Sequence, residues 1–296
     1  MAGPASARVE IHRGDARHLT RIADGSIQLV VTSPPYPKIP QWDELFHALG
    51  ADDYPAMLRE LARAWKECYR VLVPGGILAI NIGDALRTED GRFRLWPNHA
   101  ETLRAADRIG FRPLPYLLWK KPTNRPNAFL GSGFLPPNAY VTLDCEFILL
   151  FRKGDLRHFP AKDPDRARSR FGRAERDLWF SQVWSDVRGA PQRTVARRSA
   201  AFPPAIPERL VRMFSVVGDT VLDPFAGTGT TLWAAARFGR RAIGVERDPE
   251  VFAELVAEAR RRGFLTPPGR GTGSPAARGG RSPPRRRGGG SGAPSR

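Results

Sequence analysis

The sequence is poor in cysteine, with only Cys68 and Cys145 among 296 residues. Two distant cysteines cannot build a disulfide framework, and neither CxxC spacing nor a neighbouring histidine indicates a zinc site. The five histidines show no mutual spacing typical of metal ligands, so we predict no metal. Burial in the core is the expected role of both cysteines.

Long apolar runs are also absent, since none approaches the roughly 18 residues that span a membrane. The first residues, MAGPASARVEIHRGD, contain no apolar core of a secretory signal. We therefore expect no membrane contact and a cytoplasmic location.

Acidic residues are scarce: 30 Asp and Glu oppose 47 Lys and Arg, which leaves a net charge of +17. Such an excess predicts a polyanionic partner. Residues 266–296 hold seven arginines, many glycines and prolines and no acid, a composition that predicts a disordered basic tail. The tail is either a solvated extension or a non-specific contact with DNA, and the rest of the chain stays basic without it.

Apolar patterning predicts strands that alternate with helices. SIQLVVT, ILAINIG and RAIGVE have the length and branching of buried strands, and residues 54–72 have helical apolar spacing. The alternation predicts one α/β domain whose mostly parallel sheet is covered by helices on both faces. LPYLLWKK (114–121) and EFILLFRK (146–153) are expected to form an antiparallel hairpin. Residues 154–200 lose the periodicity and are rich in arginine, which predicts an irregular basic insert.

One apolar strand ends abruptly in Thr32-Ser33-Pro34-Pro35-Tyr36. Two successive prolines fix φ twice and remove two N–H donors. The motif is therefore either a stiff turn or a rigid shelf that holds a flat ligand. A motif this short does not distinguish the two by itself.

A second motif, VLDPFAGTGTT (221–231), places a glycine-rich turn between a strand and a helix, and the next strand ends in Glu246. Gly227 and Gly229 let the backbone approach a ligand, and Glu246 can accept hydrogen bonds from both ribose hydroxyls. The lysine of a P-loop and the third glycine of a dinucleotide site are both missing. Asp223 would repel a pyrophosphate but attract an α-ammonium group, which favours S-adenosyl-L-methionine.

Together these motifs resemble the amino-directed DNA methyltransferases of the circularly permuted (beta-class) kind, in which the catalytic motif precedes the cofactor motif. TSPPY resembles the catalytic element, DPFAGTGTT the cofactor loop and FPPAIPERLVRMFS the segment leading into that loop. The resemblance covers roughly residues 8–262 and implies a Rossmann-like methyltransferase fold. It also implies cofactor contacts by Asp15, Thr32, Phe202, Pro203, Asp223, Phe225, Ala226, Gly227, Thr228, Gly229, Thr230, Thr231 and Glu246.

The resemblance assigns catalysis to Ser33, Pro34, Pro35 and Tyr36. An exocyclic amine is a poor nucleophile because its lone pair is delocalised into the ring. The Ser33 hydroxyl and the Pro34 carbonyl would bind the amine hydrogens and aim the lone pair at the methyl group. Tyr36 would stack on a base flipped out of the duplex. Serine at the first position favours cytosine N4 as the target, with adenine N6 as the alternative.

Several further residues have predicted roles. Asp15 would lie near the adenine of the cofactor or cap a local turn, and Asp84 would line the base pocket or cap a helix. Lys120, Lys121 and Arg125 are expected to contact DNA phosphates, where they add affinity without sequence information.

The chain divides into four predicted parts. Residues 1–153 are the catalytic half of the methyltransferase domain, 154–200 the target-recognition insert, 201–265 the cofactor-binding half and 266–296 the tail. Arginines of the insert would contact bases, because bidentate Arg to guanine is the commonest specific contact. SAAFP departs from many relatives, which begin this segment with His, so no contact is assigned to Ser199.

Double-stranded DNA is the expected substrate, with a nucleoid-associated location, and the candidate partners are a restriction endonuclease and a second copy of the chain. An RNA methyltransferase and a DNA-binding module without catalysis remain alternatives. Cytosine C5 chemistry is not expected, because its nucleophilic cysteine typically follows a proline. Here Cys68 follows Glu67 and Cys145 follows Asp144.

Overall fold

The computed structural model describes residues 9–121, 136–189 and 202–265. The strands are β1 (Val9–Arg13), β2 (Ile27–Thr32), β3 (Leu72–Ile82), β4 (Ala85–Glu89), β5 (Arg92–Trp96), β6 (Phe111–Lys120), β7 (Cys145–Lys153), β8 (Val183–Trp184), β9 (Thr220–Asp223) and β10 (Arg241–Glu246). The helices are α1 (Asp43–His47), α2 (Tyr54–Val71), α3 (Asn98–Ile109), α4 (Pro164–Arg168), α5 (Arg173–Trp179), α6 (Ala205–Phe214), α7 (Thr230–Arg237) and α8 (Pro249–Arg261). The predicted tail, Arg125 and Ser199 lie outside the described residues.

Eight strands form one sheet in the order β1-β10-β9-β2-β3-β7-β6-β8. The first five strands of that order are parallel to one another. β7 runs antiparallel to both β3 and β6, and the short β8 pairs parallel to β6. The prediction of a mostly parallel sheet with an antiparallel hairpin is confirmed.

Helices cover both faces of the sheet. Consecutive strand residues point to opposite faces, so neighbouring residues pack against different helices. Val31 lies in one hydrophobic core together with Leu210 of α6, whereas Val30 lies in the other with Trp65 of α2. A strand buried on both faces has no polar alternation. This is why the parallel strands appear in the sequence as continuous apolar runs.

α2 shows how local sequence positions these covering helices. The Asp53 side chain accepts a hydrogen bond from the Ala56 N–H at 2.6 Å, and Pro55 occupies the first turn, where its missing N–H costs nothing. Met57, Leu61, Ala64, Trp65, Cys68 and Val71 form the buried stripe of the helix. Asp53 and Pro55 thus fix where the helix begins, and the stripe fixes which face packs against the sheet.

The order in which successive strands are added to the sheet reverses between the parallel neighbours β9 and β2. From β9 the chain continues through α7 to β10 on one side, and from β2 it continues through α2 to β3 on the other. In open α/β sheets, ligands bind at the carboxyl ends of the strands where the order reverses in this way. The site is therefore expected beside Thr32 and Asp223, the last residues of β2 and β9.

Strand β3 begins earlier than the apolar run ILAINIG indicates. Ile27 pairs with Leu72 and Leu29 pairs with Ile77, so the chain between Leu72 and Ile77 bulges out of the ladder. Gly75 at the bulge has φ 80°, and a Cβ there would lie 2.6 Å from the backbone N of Arg157. The Pro-Gly-Gly sequence therefore forms a bulge against which the following segment packs.

The basic insert was expected to be irregular, but its described part, residues 154–189, contains regular structure. It contains α4, α5 and β8, and Trp184 of β8 is fully buried. The Trp119 indole donates a hydrogen bond to the Val187 carbonyl at 2.9 Å. Aromatic burial and pairing with β6 hold this segment to the body, although its sequence lacks periodicity.

A second, two-stranded sheet of β4 and β5 was not anticipated from the sequence. It follows β3 directly, with Asp90 and Gly91 at positive φ in the turn between its strands. Across residues 9–121, 136–189 and 202–265, none of the helices combines the length and apolarity needed to cross a bilayer.

Candidate active site

A cavity of about 530 Å³ opens at the carboxyl edge of the parallel strands. Its walls come from the segments after β1, β2, β9 and β10 and from Phe202, before α6. The predicted site residues that line it are Asp15, Ser33, Pro35, Phe202, Asp223, Phe225, Ala226, Gly227, Thr228, Thr230 and Glu246. Thr32, Pro34, Tyr36, Pro203, Gly229 and Thr231 are their chain neighbours outside the lining. The two sequence motifs thus meet at one cavity, whose volume falls in the range of small-molecule sites.

The glycine-rich loop turns sharply between β9 and α7. Gly227 and Gly229 have φ of 51° and 83°, values that L side chains rarely adopt. The Gly229 N–H donates to the Ala226 carbonyl at 2.7 Å and closes the turn. A Cβ on Gly229 would lie 2.6 Å from side-chain atoms of Leu255 and Trp233. Gly229 is therefore required by both backbone conformation and packing, whereas Gly227 is required by conformation alone.

Glu246, at the end of β10, is held by backbone donors. Its Oε2 accepts from the Gly227 N–H at 2.9 Å and its Oε1 from the Asp248 N–H at 2.8 Å. Burial raises the pKa of this carboxyl, although these N–H groups oppose the rise. The fixed carboxylate has lone pairs left over, so it can accept hydrogen bonds from a pair of hydroxyls in the cavity.

Asp223, at the end of β9, is almost completely buried. Its Oδ1 accepts from the Thr32 hydroxyl at 2.7 Å and from the Phe225 N–H at 3.1 Å. Burial raises the pKa of Asp223 to about 6 despite these hydrogen bonds. A cation placed beside Asp223 would compensate this burial by favouring the ionised form.

Asp15, after β1, lies between a local turn and the cavity, and its contact with adenine stays a prediction. Its Oδ1 accepts from the Arg17 backbone N–H at 2.9 Å, which stabilises a local turn, while the residue also lines the cavity. The Arg17 guanidinium binds both Asp15 oxygens and also contacts Glu60. Burial works to raise the pKa of Asp15, but the Arg17 hydrogen bonds outweigh it and leave the pKa below its usual value.

The TSPPY motif continues into a polar network that sequence reasoning missed. Ser33 Oγ lies 3.1 Å from the Tyr36 hydroxyl, which donates to Glu146 Oε2 at 3.0 Å. The Asn81 amide donates to the Tyr36 oxygen at 2.8 Å and to Glu146 Oε2 at 2.6 Å. Burial and the nearby Glu146 carboxylate raise the pKa of Tyr36 well above its usual value. The available signals were an amide inside ILAINIG and an acid at the start of EFILLF.

The cations predicted to contact DNA differ in their surroundings. Lys121 forms an ion pair with Glu146 and is mostly buried, so its ammonium already has a carboxylate partner. Lys120 is half exposed, with its Nζ 3.9 Å from Asp144. Arg125 lies outside the described residues. Contact with phosphate stays a prediction for all three residues.

Asp84 holds the first turn of α3. Its Oδ1 accepts from the His99 backbone N–H at 3.0 Å, and the His99 ring nitrogen lies within 2.8 Å of both carboxylate oxygens. The helix-capping alternative therefore describes the contacts of Asp84. The His99 ring also stacks on Phe147, with ring centroids 3.8 Å apart.

Two ion pairs join the insert to the rest of the domain. Arg157 binds Asp219 through two nitrogens at 2.6 and 2.9 Å. Arg212 of α6 binds Glu175 of the insert in the same two-pronged manner. These pairs attach the insert to the body, and a role of the insert in reading the DNA target stays a prediction.

No cluster of three or more His, Cys, Asp or Glu suited to a metal ion occurs in the described part of the chain. Cys68 is fully buried and its pKa is raised by burial, so its thiol stays protonated. Cys145 is partly buried, and the pKa of its thiol is likewise raised, by burial and by Asp144. Both shifts disfavour the thiolate that a nucleophilic cysteine requires.

Comparison with known proteins identifies the family. The family model described as DNA methylase, of the N6/N4 methyltransferase type, matches residues 27–257. The chain is 54% identical over 261 residues to Type II methyltransferase M.MjaI of Methanocaldococcus jannaschii, covering 79% of this chain and 86% of that protein. It is 44% identical over 265 residues to Type II methyltransferase M.MthZI of Methanothermobacter thermautotrophicus, covering 83% of this chain and 74% of that protein.

Solved structures agree with this relationship. A candidate DNA modification methylase of Thermus thermophilus, complexed with S-adenosyl-L-methionine, shares 40% identity with a TM-score of 0.70. The similarity covers 88% of this chain and 97% of that one. The PvuII cytosine-N4-specific DNA methyltransferase shares the fold at 18% identity and a TM-score of 0.61, over 85% of this chain and 86% of that one. The family match spans most of the chain, and the chain therefore belongs to the N6/N4 DNA methylase family.

Proposed function

We propose that this protein transfers the methyl group of S-adenosyl-L-methionine to the exocyclic amine of a base in double-stranded DNA, with cytosine N4 as the target. The observation that carries the proposal is the shared cavity. Ser33 of the TSPPY motif lines the same cavity as Asp223 and Glu246 of the cofactor motif. A hydroxyl acceptor and two fixed carboxylates at one cavity suit a reaction between an amine and a cationic nucleoside.

The residues present fit S-adenosyl-L-methionine, which supplies an electrophilic methyl group on a positively charged sulfur. Glu246 would accept hydrogen bonds from the ribose hydroxyls, because both of its oxygens are already oriented by backbone donors. Asp223 would attract the α-ammonium group, and the cation would compensate the burial of this carboxylate. Asp15 and Phe225 also line the cavity and would contact the adenine.

Ser33 and Pro34 would prepare the amine. Both prolines of the motif are buried and their φ angles are locked by the ring, so the two acceptors are held rigidly. Hydrogen bonds from the amine to Ser33 Oγ and to the Pro34 carbonyl favour a pyramidal nitrogen whose lone pair is free to react. The amine loses a proton after transfer, so no strong base is needed. Tyr36 would contact the flipped base beside these acceptors.

Cytosine is proposed over adenine because serine occupies the first position of the motif, where it is typical of cytosine-N4 enzymes. Lys120 would contact phosphates of the duplex, and the arginine-rich segment 154–200 would read its sequence. A companion restriction endonuclease, a homodimer and association with the nucleoid are predictions that accompany this function.

The test is methylation of mixed genomic DNA with isotope-labelled S-adenosyl-L-methionine, followed by mass spectrometry of the nucleosides. N4-methylcytosine is the expected product. N6-methyladenine would keep the enzyme class and contradict the cytosine assignment. The matched control is Ser33→Ala, which should bind the cofactor as the wild type does and lose most methylation. Structured RNA added in competition should not become labelled.

A further inference from the structure

The Ser33 hydroxyl is the first member of a hydrogen-bonded chain that ends on a carboxylate outside the TSPPY motif. Ser33 Oγ lies 3.1 Å from the Tyr36 oxygen, and the Tyr36 oxygen lies 3.0 Å from Glu146 Oε2. Glu146 is 9% exposed and lies at the start of the antiparallel strand β7, far from Ser33 in sequence. A hydroxyl that binds the substrate amine is thus connected to a buried charge two groups away.

Counting donors and acceptors fixes the direction of this chain. An ionised carboxylate only accepts hydrogen bonds, so the Tyr36 hydroxyl must give its one hydrogen to Glu146. The Asn81 amide donates to the Tyr36 oxygen at 2.8 Å, which uses one of its two lone pairs. The remaining lone pair faces Ser33. The Ser33 hydroxyl therefore donates its hydrogen to Tyr36 and keeps its own lone pairs for another partner.

The surrounding donors hold the Glu146 carboxylate in one orientation. Lys121 forms an ion pair with Oε1, while Tyr36 and the Asn81 amide both donate to Oε2. The Asn81 amide thereby gives one hydrogen to Tyr36 and one to Glu146. Both carboxylate oxygens have donors, so the buried charge is balanced.

We propose that Glu146 is a positioning residue for methyl transfer: acting through Tyr36, it turns the Ser33 hydroxyl so that its lone pairs face the substrate amine. This inference rests on the proposed function, in which Ser33 accepts a hydrogen bond from that amine. A serine hydroxyl rotates freely in the absence of such a partner and can donate as well as accept. The network removes the wrong orientation before substrate binds, which is the preorganisation that catalysis requires.

The antiparallel hairpin explains why this carboxylate is available at the site. β3 ends at the catalytic edge, and because β7 runs in the opposite direction, its first residues lie at that same edge. Ile82 pairs with Phe147, which places Glu146 beside Gly83. A Cβ on Gly83 would lie 3.2 Å from the Tyr36 ring and 3.3 Å from Glu146 Cγ, so glycine leaves room for the two to meet.

The test is a double-mutant cycle with Glu146→Gln and Ser33→Ala. In Glu146→Gln, Lys121 holds the amide oxygen, so the amide NH₂ faces Tyr36 and donates where the carboxylate accepted. The Tyr36 hydrogen then turns toward Ser33, and the serine hydrogen turns toward the amine. We expect Glu146→Gln to lower kcat by roughly tenfold to a hundredfold, the usual size for a residue that orients a directly contacting group. KM for DNA and the calorimetric Kd for S-adenosyl-L-methionine should stay unchanged.

The second arm separates positioning from a general structural role. In the Ser33→Ala background, Glu146→Gln should cause no further loss of kcat, because the hydroxyl it orients is gone. Tyr36→Phe should show the same lack of additivity with Ser33→Ala and provides a second variant should Glu146→Gln fail to fold. Glu208→Gln is the matched control, since Glu208 pairs with Arg237 on α6 and α7 and should leave kcat unchanged.

The outcomes are distinct. Equal losses from Glu146→Gln with and without Ser33, or a change confined to KM, would overturn this inference while the wild type still methylates DNA. A wild-type protein that binds S-adenosyl-L-methionine but methylates no DNA would overturn the proposed function, and this inference with it.

Discussion

The Thr32 hydroxyl donates a hydrogen bond of 2.7 Å to the Asp223 carboxylate, although 191 positions separate the two residues. Thr32 ends β2 and Asp223 ends β9. These parallel neighbours mark the point where the order of successive strands across the sheet reverses. This bond joins the TSPPY motif directly to the glycine-rich motif. The residue after Thr32 is Ser33, so the proposed amine acceptor is positioned by the same contact.

Replacing Asp223 with asparagine is expected to raise the stability of the fold and to lower its affinity for the cofactor. Burial raises the pKa of this carboxyl from 3.8 to about 6, so the folded protein loses stability as pH rises between those values. The side-chain amide of Asp223→Asn would keep an acceptor for Thr32 and carry no charge. At pH 7 we expect a free energy of unfolding higher by roughly 1–3 kcal/mol and cofactor binding weaker by about tenfold or more. Urea unfolding and calorimetry check both, and unchanged affinity would contradict the role of Asp223.

Cofactor affinity is expected to fall as pH drops through about 6, because Asp223 takes up a proton there and loses its attraction for a cation. Two other carboxyls face the same cavity: the pKa of Glu246 is raised and that of Asp15 is lowered. A variant is therefore needed to assign the midpoint of the pH dependence of affinity to Asp223. Thr32→Val removes a donor to Asp223 and should move the midpoint to higher pH. Calorimetric titrations from pH 5 to 8 measure the shift. An identical midpoint in both proteins would assign the titration to another group.

Glu246→Gln is expected to weaken the recognition of ribose. Both carboxylate oxygens already accept from backbone N–H groups, so the amide NH₂ must face one of these donors and unsettle the side chain. We expect an affinity for S-adenosylhomocysteine lower by roughly tenfold to a hundredfold. The variant should also discriminate less against an analogue lacking both ribose hydroxyls. Undiminished discrimination would show that other groups bind the hydroxyls.

The two glycines of the cofactor loop should differ in their tolerance of alanine. Gly229→Ala combines φ of 83° with contacts of 2.6 Å to Leu255 and Trp233, so we expect a loss of roughly 2–4 kcal/mol in the free energy of unfolding. Gly227→Ala is the matched control: φ is 51° but the nearest atom lies 3.9 Å away, so about 1 kcal/mol is expected. Urea denaturation of both variants measures the difference. Equal losses would show that conformation alone matters.

Gly83→Ala should reduce methyl transfer with little effect on folding. The new Cβ would press on the Tyr36 ring at 3.2 Å and on Glu146 at 3.3 Å, which displaces the pair by a few tenths of an ångström. We expect kcat to fall by roughly tenfold, because misplacement of catalytic groups on this scale is costly. The Kd for S-adenosyl-L-methionine should not change. A normal kcat would mean that the network tolerates the displacement.

The parallel strands and the glycine-rich loop could be predicted because their signals are local. Continuous apolar runs indicate strands buried on both faces, and a strand followed by glycines and a helix indicates a ligand loop. Asp223 and Glu246 could be placed at one edge because parallel strands end on the same side. The expected α/β fold and the N6/N4 DNA methyltransferase family are confirmed, and the circularly permuted class stays a prediction.

The remaining features depend on tertiary partners that no local pattern reveals. Pro74 and Gly75 are strong strand breakers, yet β3 passes through them as a bulge because Arg157 packs against the glycine. Val183–Trp184 is too short to predict as a strand, and it forms because β6 offers it an edge. The contacts of Glu146 could not be predicted because its partners, Tyr36 and Asn81, come from distant segments.

An inserted residue is expected to have different effects in strand β7 and in the connection between β6 and β7. The chain leaves β6 at Lys121 and enters β7 at Cys145, where the Lys121 N–H donates to the Asp144 carbonyl at 2.7 Å. The connection between them therefore begins and ends beside Glu146, while the paired strands hold the carboxylate in register. One residue inserted within β7 would turn Glu146 to the opposite face of the sheet. The same insertion in the connection would leave it in place, so the length of the connection can change without moving Glu146.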